Sequence, residues 1–412
     1  MTQTEQDACE KKVPNHPLDG LVLPSGFRFS GAACGIKPSG KQDISLIVTD
    51  RPAVAAGTYT QNQIVAAPVV LCRQRTPSQT LRAVITNSGN ANACTGDVGD
   101  RDAAAMCKQV AEQIGCPEKD VLVMSTGVIG QPLPMDRVQQ GIAEAIDKLD
   151  ATEDSFLASA DGILTTDKSR KIACRKIELN GQTYSIAAMA KGAGMIAPNM
   201  ATMLAVILTD APIAQEDANN ILPNAVQRSF NRVSVDGHTS TNDTCLLLSS
   251  GEGESLQGDS LATASEQICD LSIELAKQLV GDGEGASHII SIRVTGAEDT
   301  ASAEVIAKTV AASPLVKTAI TGGDPNWGRI VSAAGYAEAK ITPSKTSLKI
   351  CEQTIYANGS PVEFDAAELS SKMKQAEEVL IELVVGDGNG EAEYWASDLT
   401  TDYVRFNSEY TT

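Results

Sequence analysis

The chain has 412 residues, 42% of them hydrophobic, and a formal net charge of −19. At roughly 150 residues per domain, this length predicts two or three globular units with a large core. The excess of negative charge repels phosphate backbones, so we expect no nucleic-acid partner. The sequence has no apolar run of the roughly 20 residues that would span a bilayer and no secretory signal, which predicts a cytoplasmic protein without a membrane partner.

Few residues suit metal binding or histidine-based catalysis. The ten cysteines form no C-x-x-C pair, and we predict reduced thiols instead of a disulfide framework. The three histidines, His16, His238 and His288, accompany neither an H-E-x-x-H motif nor a G-x-S-x-G elbow. We therefore predict no metal site, and we interpret His238 and His288 as ordinary surface or capping residues.

The hydrophobic pattern of the first half alternates between strand-like and helix-like segments. Asn180-Gly181, between KIEL and TYSIAAMA, predicts a β-hairpin with a two-residue turn. The other predicted elements are strands at 83–88, 120–125 and 202–209 and helices at 99–115, 135–149 and 153–164.

The second half continues the same mixture. Its predicted helices lie near 214–229, 263–280, 302–312 and 366–376, and its predicted strands lie near 244–249, 289–295, 347–351 and 378–385 and from 391 to the end. Because strands and helices are interspersed and the connections are long, the pattern predicts a mixed α/β or α+β protein, not an all-β sandwich.

The segment from Lys191 to Leu204, KGAGMIAPNMATML, has an unusual composition. Its two glycines allow close backbone approach or positive φ, and Pro198 disfavours helix at the residue before it. The chain therefore reaches Thr202 in a non-helical form and then enters an apolar strand. Taken alone, this pattern is more often an ordinary junction between a loop and a strand, and it is also compatible with a reactive threonine.

In the reactive alternative, Thr202 cuts its own chain. Its Oγ attacks the carbonyl of Ala201, an N→O acyl shift gives an ester, and water hydrolyses the ester to leave Thr202 as a new N-terminus. A free α-amine has a reference pKa of about 7.7–8.0, so it would act as the base for its own hydroxyl. No histidine is required, in agreement with their scarcity.

Motifs along almost the whole chain resemble those of the ornithine acetyltransferase family, also called glutamate N-acetyltransferase. Apart from KGAGMIAPNMATML, they are LPSGFRFSG, AAGTYTQNQIVAAPV, ITNSGNANACTG, MSTGVIGQPLP, TTD, GDGEGA, GDPNWGRI and NSEYTT, with SVDG and TSTNDT on either side of His238. Each motif is weak alone, and their order along the chain makes the set specific.

The resemblance implies a layered α/β/β/α sandwich and self-cleavage between Ala201 and Thr202. The products would be an alpha chain, 1–201, and a beta chain, 202–412, which associate as a heterotetramer of two alpha and two beta chains. The family transfers an acetyl group from N2-acetylornithine to glutamate by ping-pong chemistry on the threonine and needs no cofactor. Its members differ in whether acetyl-CoA is a further acetyl donor, and the sequence leaves that open.

The resemblance also assigns site residues. Thr126 and Gly127 would form the oxyanion hole, and the substrate contacts would be Thr165, Lys191, Thr202, Glu284, Asn407 and Thr412. Taken singly, Lys191 and Glu284 would more often be solvated surface charges. This chain departs from the family pattern at His238, His288 and Thr411, which affects expected ligand contacts and pH behaviour but not the reaction class.

Three other interpretations were weighed. Residues 35–41, GIKPSGK, have the glycine spacing of a P-loop, but Gln42 replaces the Mg²⁺-binding Ser or Thr, so we predict no nucleotide site there. A self-processing aminopeptidase or amidase would use the same threonine, with water instead of glutamate as the acceptor. A metabolite-binding protein without enzymatic activity would keep an uncut chain.

Overall fold

The computed structural model describes residues 20–197 and 203–409. Within them, the strands are Phe27–Ala32 (β1), Ile44–Tyr59 (β2), Ser78–Asn90 (β3), Val121–Val128 (β4), Lys171–Leu179 (β5), Gln182–Lys191 (β6), Leu204–Thr209 (β7), Val233–Ser234 (β8), Thr244–Ser249 (β9), Ile289–Ala297 (β10), Ser347–Ile350 (β11), Gln353–Ala357 (β12), Ser360–Pro361 (β13), Glu378–Val384 (β14) and Gly390–Ser397 (β15).

The helices complete the described elements. They are Ala67–Arg75 (α1), Gly96–Ile114 (α2), Met135–Asp147 (α3), Glu153–Ile163 (α4), Gln215–Arg228 (α5), Gly258–Gly281 (α6), Thr300–Ala312 (α7), Pro314–Gly322 (α8), Trp327–Gly335 (α9), Ala366–Gln375 (α10) and Thr401–Glu409 (α11).

The first sheet contains eight strands, in the order β4-β3-β2-β9-β7-β6-β5, with β1 paired to β2. Strands β7 and β9 are parallel, and β7 is antiparallel to its other neighbour, β6. Strand β7 is buried along its whole length because both faces of the sheet are covered. Its Leu204, Val206 and Leu208 face the core formed with α1 to α4, whereas Ala205 and Ile207 face the core that contains α5 and α6.

The second sheet contains seven strands, in the order β13-β12-β11-β14-β10-β15-β8. One of its faces packs against α7 to α10 through Ile290, Ile292 and Val294 of β10. The alternate residue Arg293 forms ion pairs with Glu382 and Glu393 on the other face. The side chains of all three are partly exposed, whereas Ser291 on the same face of β10 is buried, so solvent reaches this face around Arg293 but not at Ser291.

The prediction of a mixed α/β protein with two sheets is confirmed. The layers differ in one respect from a simple arrangement with helices only on the outside. Helix α6 contacts β5 and β6 of the first sheet and β8, β10 and β15 of the second, so it lies between the two sheets. Its buried residues form one broad face, which includes Ile268, Leu271 and Leu275.

Most predicted elements of both halves agree with the structure within a few residues. The predicted hairpin turn is confirmed, with positive φ at Asn180 (53°) and Gly181 (76°). The prediction of a strand from 391 to the end is wrong beyond Ser397, because the chain continues as helix α11. No helix in the two described ranges is long and apolar enough to cross a membrane.

Candidate active site

The loop that leaves β6 has a defined and unusual backbone. Gly192 has φ 153° and Met195 has φ 58°, a value that is uncommon outside glycine. The N–H of Gly192 donates to Asp167 Oδ1 at 2.7 Å, and the N–H groups of Met195 and Ile196 donate to the Asp236 carboxylate at 2.6 and 3.0 Å. Carboxylates from two other segments therefore hold this loop on its way to the predicted scission site.

The proposed scissile residues, Ala201 and Thr202, lie outside the described residues, as does the predicted substrate residue Thr412. The residues on both sides of the scission site are described. Lys191, the last residue of β6, pairs in register with Leu204, the first residue of β7. The segment between them thus connects the adjacent ends of two neighbouring antiparallel strands.

Asp243 holds the residue that precedes β7. Its Oδ1 accepts a 3.1 Å hydrogen bond from the N–H of Met203, while its Oδ2 has no hydrogen-bond partner among the described residues. Asp243 is fully buried, and burial raises the pKa of its carboxyl well above the usual range. This aspartate belongs to the TSTNDT motif, although no role was predicted for it.

Thr126 and Gly127, the predicted oxyanion residues, lie at the end of β4. Thr126 is buried, and the backbone carbonyl of the preceding residue, Ser125, accepts a 2.9 Å hydrogen bond from Asn242 Nδ2. Gly127 has φ 135°, and a Cβ there would lie 2.2 Å from the carbonyl carbon of Gly89. Only glycine fits at that position, which explains this residue of the S-T-G motif in physical terms.

Lys191 lies next to the predicted oxyanion residue. Its Nζ is 3.4 Å from Thr126 Oγ1 and 3.9 Å from Asp167 Oδ2, and its side chain is 3% exposed. Burial lowers the pKa of Lys191, and the negative charge of Asp167 opposes that change. The interpretation of this lysine as a solvated surface charge is therefore excluded.

Thr165, a predicted substrate contact, is held by the same aspartate. Its N–H donates to Asp167 Oδ2 at 2.9 Å and its hydroxyl lies 3.4 Å from that oxygen. Although burial alone would raise the pKa of Asp167, Lys171 and Lys191 outweigh this effect and hold the pKa below its ordinary value. The aspartate is therefore a permanent negative charge beneath the two predicted substrate residues.

Glu284 and Asn407, two further predicted substrate contacts, meet directly. Asn407 Nδ2 donates to Glu284 Oε2 at 3.1 Å, and Thr166 Oγ1 donates to Glu284 Oε1 at 2.7 Å. The N–H of Glu284 donates to the carbonyl of Ala193 at 2.8 Å, which joins this residue to the loop after β6. The structure thus brings Glu284 next to the loop that follows Lys191.

Lys171 and Asp282 belong to the site but were not predicted from the sequence. The Lys171 ammonium contacts the carboxylates of Asp167 and Asp282, and all three side chains are buried. Lys171 resembles its charged neighbours in the stretch SRKIACRK, so its burial has no local signal. Asp167 and Asp282 stand inside the TTD and GDGEGA motifs, and their positions next to predicted site residues were the available signal.

In the segment with P-loop glycine spacing, residues 35–41, a side chain of the protein itself binds the backbone N–H groups. Asp43 accepts the backbone N–H groups of Cys34, Ile36 and Lys37, at 2.7, 2.7 and 3.1 Å. A carboxylate of the chain itself thus occupies the donors that a phosphate would need. This arrangement agrees with the prediction that no nucleotide binds at residues 35–41.

The two described histidines differ. His238 is exposed, and its N–H donates to Asp236 Oδ1 at 3.1 Å, as expected for a loop residue. The interpretation of His288 as a surface or capping residue is wrong, because the side chain is buried and Nδ1 lies 3.2 Å from Asp398 Oδ2. Strand β10 begins with the apolar residues Ile289 and Ile290. His288 directly precedes them and is therefore buried in the protein interior.

The described ranges contain no cluster of three or more His, Cys, Asp or Glu side chains arranged to hold a metal ion. The nine cysteines within them are free thiols. The predicted residues that the structure does bring together are therefore a hydroxyl, two opposite charges and backbone donors, a set suited to amino-acid recognition and to acyl chemistry on oxygen.

Comparisons with known proteins show the family to which this chain belongs. Residues 28–412 match the ArgJ family. The arginine biosynthesis bifunctional protein ArgJ of Rhodopirellula baltica is 59% identical over 403 residues, which cover 97% of this chain and 98% of that protein. The protein of the same name from Nitratidesulfovibrio vulgaris is 42% identical over 389 residues, covering 94% of this chain and 98% of its own length.

Two solved structures are similar to part of the chain. The arginine biosynthesis bifunctional protein argJ of Bacillus halodurans is 36% identical, covers 50% of this chain and 98% of its own, and has a TM-score of 0.48. The ornithine acetyltransferase of Mycobacterium tuberculosis in complex with ornithine is 39% identical, covers 43% of this chain and 94% of its own, and has a TM-score of 0.41. The match over residues 28–412 and the identity to full-length relatives show that this chain belongs to the ArgJ family.

Proposed function

We propose that this member of the ArgJ family transfers the acetyl group of N2-acetylornithine to glutamate, with Thr202 as the nucleophile. The observation that supports this most is the convergence of Thr126, Lys191 and Glu284 around the two ends of the segment that contains Thr202. Membership of the ArgJ family and the place of its named relatives in arginine biosynthesis agree with the proposal.

The first step of the proposal is self-cleavage. Thr202 Oγ loses its proton and attacks the Ala201 carbonyl carbon, the C–N bond breaks, and the threonine nitrogen takes up that proton. Water then hydrolyses the resulting ester, which leaves a carboxylate on Ala201 and a free amine on Thr202. That amine is the base for the later chemistry because its pKa lies at about 7.7–8.0 in reference peptides.

The second step is transfer in two half-reactions. Thr202 Oγ attacks the acetyl carbonyl of N2-acetylornithine, and ornithine leaves with a proton from the threonine amine. The α-amine of glutamate then attacks the acetyl ester and restores the free hydroxyl. In both half-reactions Thr126 Oγ and the N–H of Gly127 would stabilise the oxyanion, and removal of one such donor typically lowers kcat by roughly 10²–10³.

Substrate recognition in this proposal uses opposite charges. Lys191 pairs with the α-carboxylate that both amino acids share, and Glu284 accepts the side-chain ammonium of ornithine. Thr165 and Asn407 add hydrogen bonds. Thr412 is included on the family resemblance alone.

The proposal extends to assembly and location. The alpha and beta chains would stay associated, two copies of each would form a heterotetramer, and the enzyme would act in the cytoplasm without a cofactor. Acetyl-CoA as a second acetyl donor is a separate question that incubation of the enzyme with acetyl-CoA and glutamate answers directly.

An acceptor experiment separates this function from its closest rival. Purified protein is incubated with acetylornithine in the presence and absence of glutamate, and acetate, ornithine and N-acetylglutamate are quantified. A transferase gives N-acetylglutamate and little acetate, because water is excluded from the acetyl-enzyme. Stoichiometric acetate release without glutamate would identify an amidase instead.

A further inference from the structure

A group of buried charges lies beneath the predicted substrate residues and takes no part in the chemistry above. Lys171 Nζ contacts Asp167 Oδ1 at 2.5 Å and also contacts Asp282 Oδ2, and these side chains are at most 1% exposed. An ion pair without solvent access costs desolvation energy on both partners and is retained only where its geometry is well satisfied. The group therefore calls for an explanation beyond stability.

Asp167 differs from Asp282 in what else it touches. Its Oδ2 accepts the N–H of Thr165 at 2.9 Å and lies 3.9 Å from Lys191 Nζ, and its Oδ1 accepts the N–H of Gly192 at 2.7 Å. The carboxylate of Asp282 accepts the N–H groups of Lys168 and Ser169 and contacts no predicted substrate residue. The Asp167 carboxylate thus contacts two predicted substrate residues, Thr165 and Lys191, and also Gly192, the first residue of the loop after β6.

The charge of Lys191 depends on this neighbour. Burial lowers its pKa, and only nearby negative charge opposes the loss of the proton. The titratable groups that act on Lys191 come from several elements, namely Asp167, Lys171, Glu284, Asp243 and Lys37. Among these carboxylates, Asp167 is the strongest influence on Lys191, and the structure gives it a direct ion pair.

We propose that Asp167 is a positioning residue, held by Lys171, which keeps Lys191 protonated and fixes Lys191 and Thr165 as a joint receptor for the α-carboxylate of an amino acid. This inference rests on the proposed function, because it specifies how that site selects its substrates. A neutral lysine amine has no positive charge with which to form an ion pair with a carboxylate, so the receptor works only while the Lys191 charge is maintained.

The direct test is equilibrium binding of glutamate to the Asp167→Asn variant, measured by calorimetry from pH 7 to about pH 10. Removal of the negative charge lowers the pKa of Lys191 further, so the loss of affinity at high pH moves to lower pH by about one unit relative to the unaltered protein. At the neutral end the affinity falls by about tenfold, because Thr165 loses its anchor.

The matched control is Asp282→Asn, which removes one negative charge from the same ion-pair group without touching Thr165 or Lys191. We expect the pH at which this variant loses glutamate to equal that of the unaltered protein. Equal shifts in the two variants would overturn the inference and leave a purely structural role for the whole group. Absence of glutamate binding by the unaltered protein at every pH would also overturn the inference. The acceptor experiment tests the proposed function separately, because an unaltered protein that forms no N-acetylglutamate from acetylornithine and glutamate would contradict it.

A second variant keeps the inference testable even when the first variant does not fold. If Asp167→Asn yields no folded protein, Asp167→Glu keeps the charge and displaces the two oxygens. Its affinity for glutamate at pH 7 is expected to fall by about tenfold, while the pH at which binding is lost stays that of the unaltered protein. Unchanged affinity at pH 7 would show that the oxygens of Asp167 position nothing and would contradict the inference.

Discussion

At the scale of single residues, the candidate site consists of buried groups whose hydrogen bonds leave little freedom. Thr126 is 4% exposed and has Lys191 as a neighbour at 3.4 Å. A lysine ammonium has no lone pair to accept a proton, so in this contact Thr126 Oγ accepts and its own hydrogen stays available for an oxyanion. This arrangement gives a physical reason for a threonine at position 126, because the end of a strand does not by itself require a hydroxyl there.

Thr126→Val tests that arrangement because valine keeps the shape and removes the hydroxyl. We expect kcat for acetyl transfer to fall by roughly 10²–10³ with little change in KM. Steady-state kinetics with acetylornithine and glutamate measure both constants. The matched control is Ser125→Ala, which removes the neighbouring hydroxyl that donates to Asn87 Oδ1 at 2.6 Å. A similar fall in kcat in both variants would indicate general damage to β4.

Lys191→Ala separates substrate recognition from self-cleavage. Because Lys191 is assigned to the substrate carboxylate, its removal should raise KM for glutamate by about tenfold or more and spare scission to a greater extent. The two readouts are the kinetics and the fraction of cut chain on a denaturing gel. Equal loss of both would count against a recognition role.

Asp243→Asn tests the buried carboxyl beside Met203. The folded pKa of Asp243 is raised by burial, so the folded state holds a proton that the unfolded state releases above about pH 4. That group therefore lowers the free energy of unfolding as pH rises. The neutral amide removes this dependence, and the Tm difference between variant and parent should grow from pH 5 to pH 8. A constant difference would show that Asp243 is ionised in the fold.

At the scale of elements, the sequence predicts what depends on local pattern. The apolar run of β7 and the Asn180-Gly181 hairpin were predictable, because a fully buried strand and a two-residue turn each have a sequence signal. Helix α11 was not predicted, and none of its residues is fully buried, so no contribution to the core marks it in the sequence. The placement of α6 between the sheets, and the burial of Lys171, follow from tertiary contacts that no short segment encodes.

Helix α11 and the residue before it make polar contacts with the loop around Glu284. Thr400 Oγ1 donates to the carbonyl of Gly285 at 2.7 Å, and Asn407 Nδ2 donates to Glu284 Oε2. Asn407→Ala should leave the Tm nearly unchanged and raise KM for acetylornithine, because a hydrogen bond to a charged group contributes about 1.5–3 kcal/mol. Thermal melting and kinetics measure the two effects, with exposed Ser408→Ala on the same helix as the control. A large loss of Tm would contradict a local role.

At the scale of the whole molecule, the proposed cut would not separate two independent bodies. Strands β1 to β6 precede the proposed scission site, whereas β7 and β9 follow it, and all of them belong to the first sheet. Strand β7 has neighbours from both sides of the cut, β6 and β9. The backbone hydrogen bonds and shared core would hold the fragments together after cleavage.

The shared sheet predicts that the two fragments stay together under native conditions and separate under denaturing conditions. A tag on the N-terminus should retain the C-terminal fragment through native purification, and the two should separate only in denaturant, because their strands share backbone hydrogen bonds in one sheet. Gel electrophoresis of the eluted protein checks this. Loss of the C-terminal fragment during native washing would show that the cut protein does not keep this fold.

The most direct test of the central claim is intact mass spectrometry of purified protein before and after addition of acetylornithine. The proposed mechanism predicts two polypeptides that divide between Ala201 and Thr202, with an acetyl group appearing on the C-terminal one. Thr202→Ala should give one uncut chain without an adduct. An active preparation of the unaltered protein that consists of a single intact chain, or normal cleavage of Thr202→Ala, would contradict the assignment of Thr202.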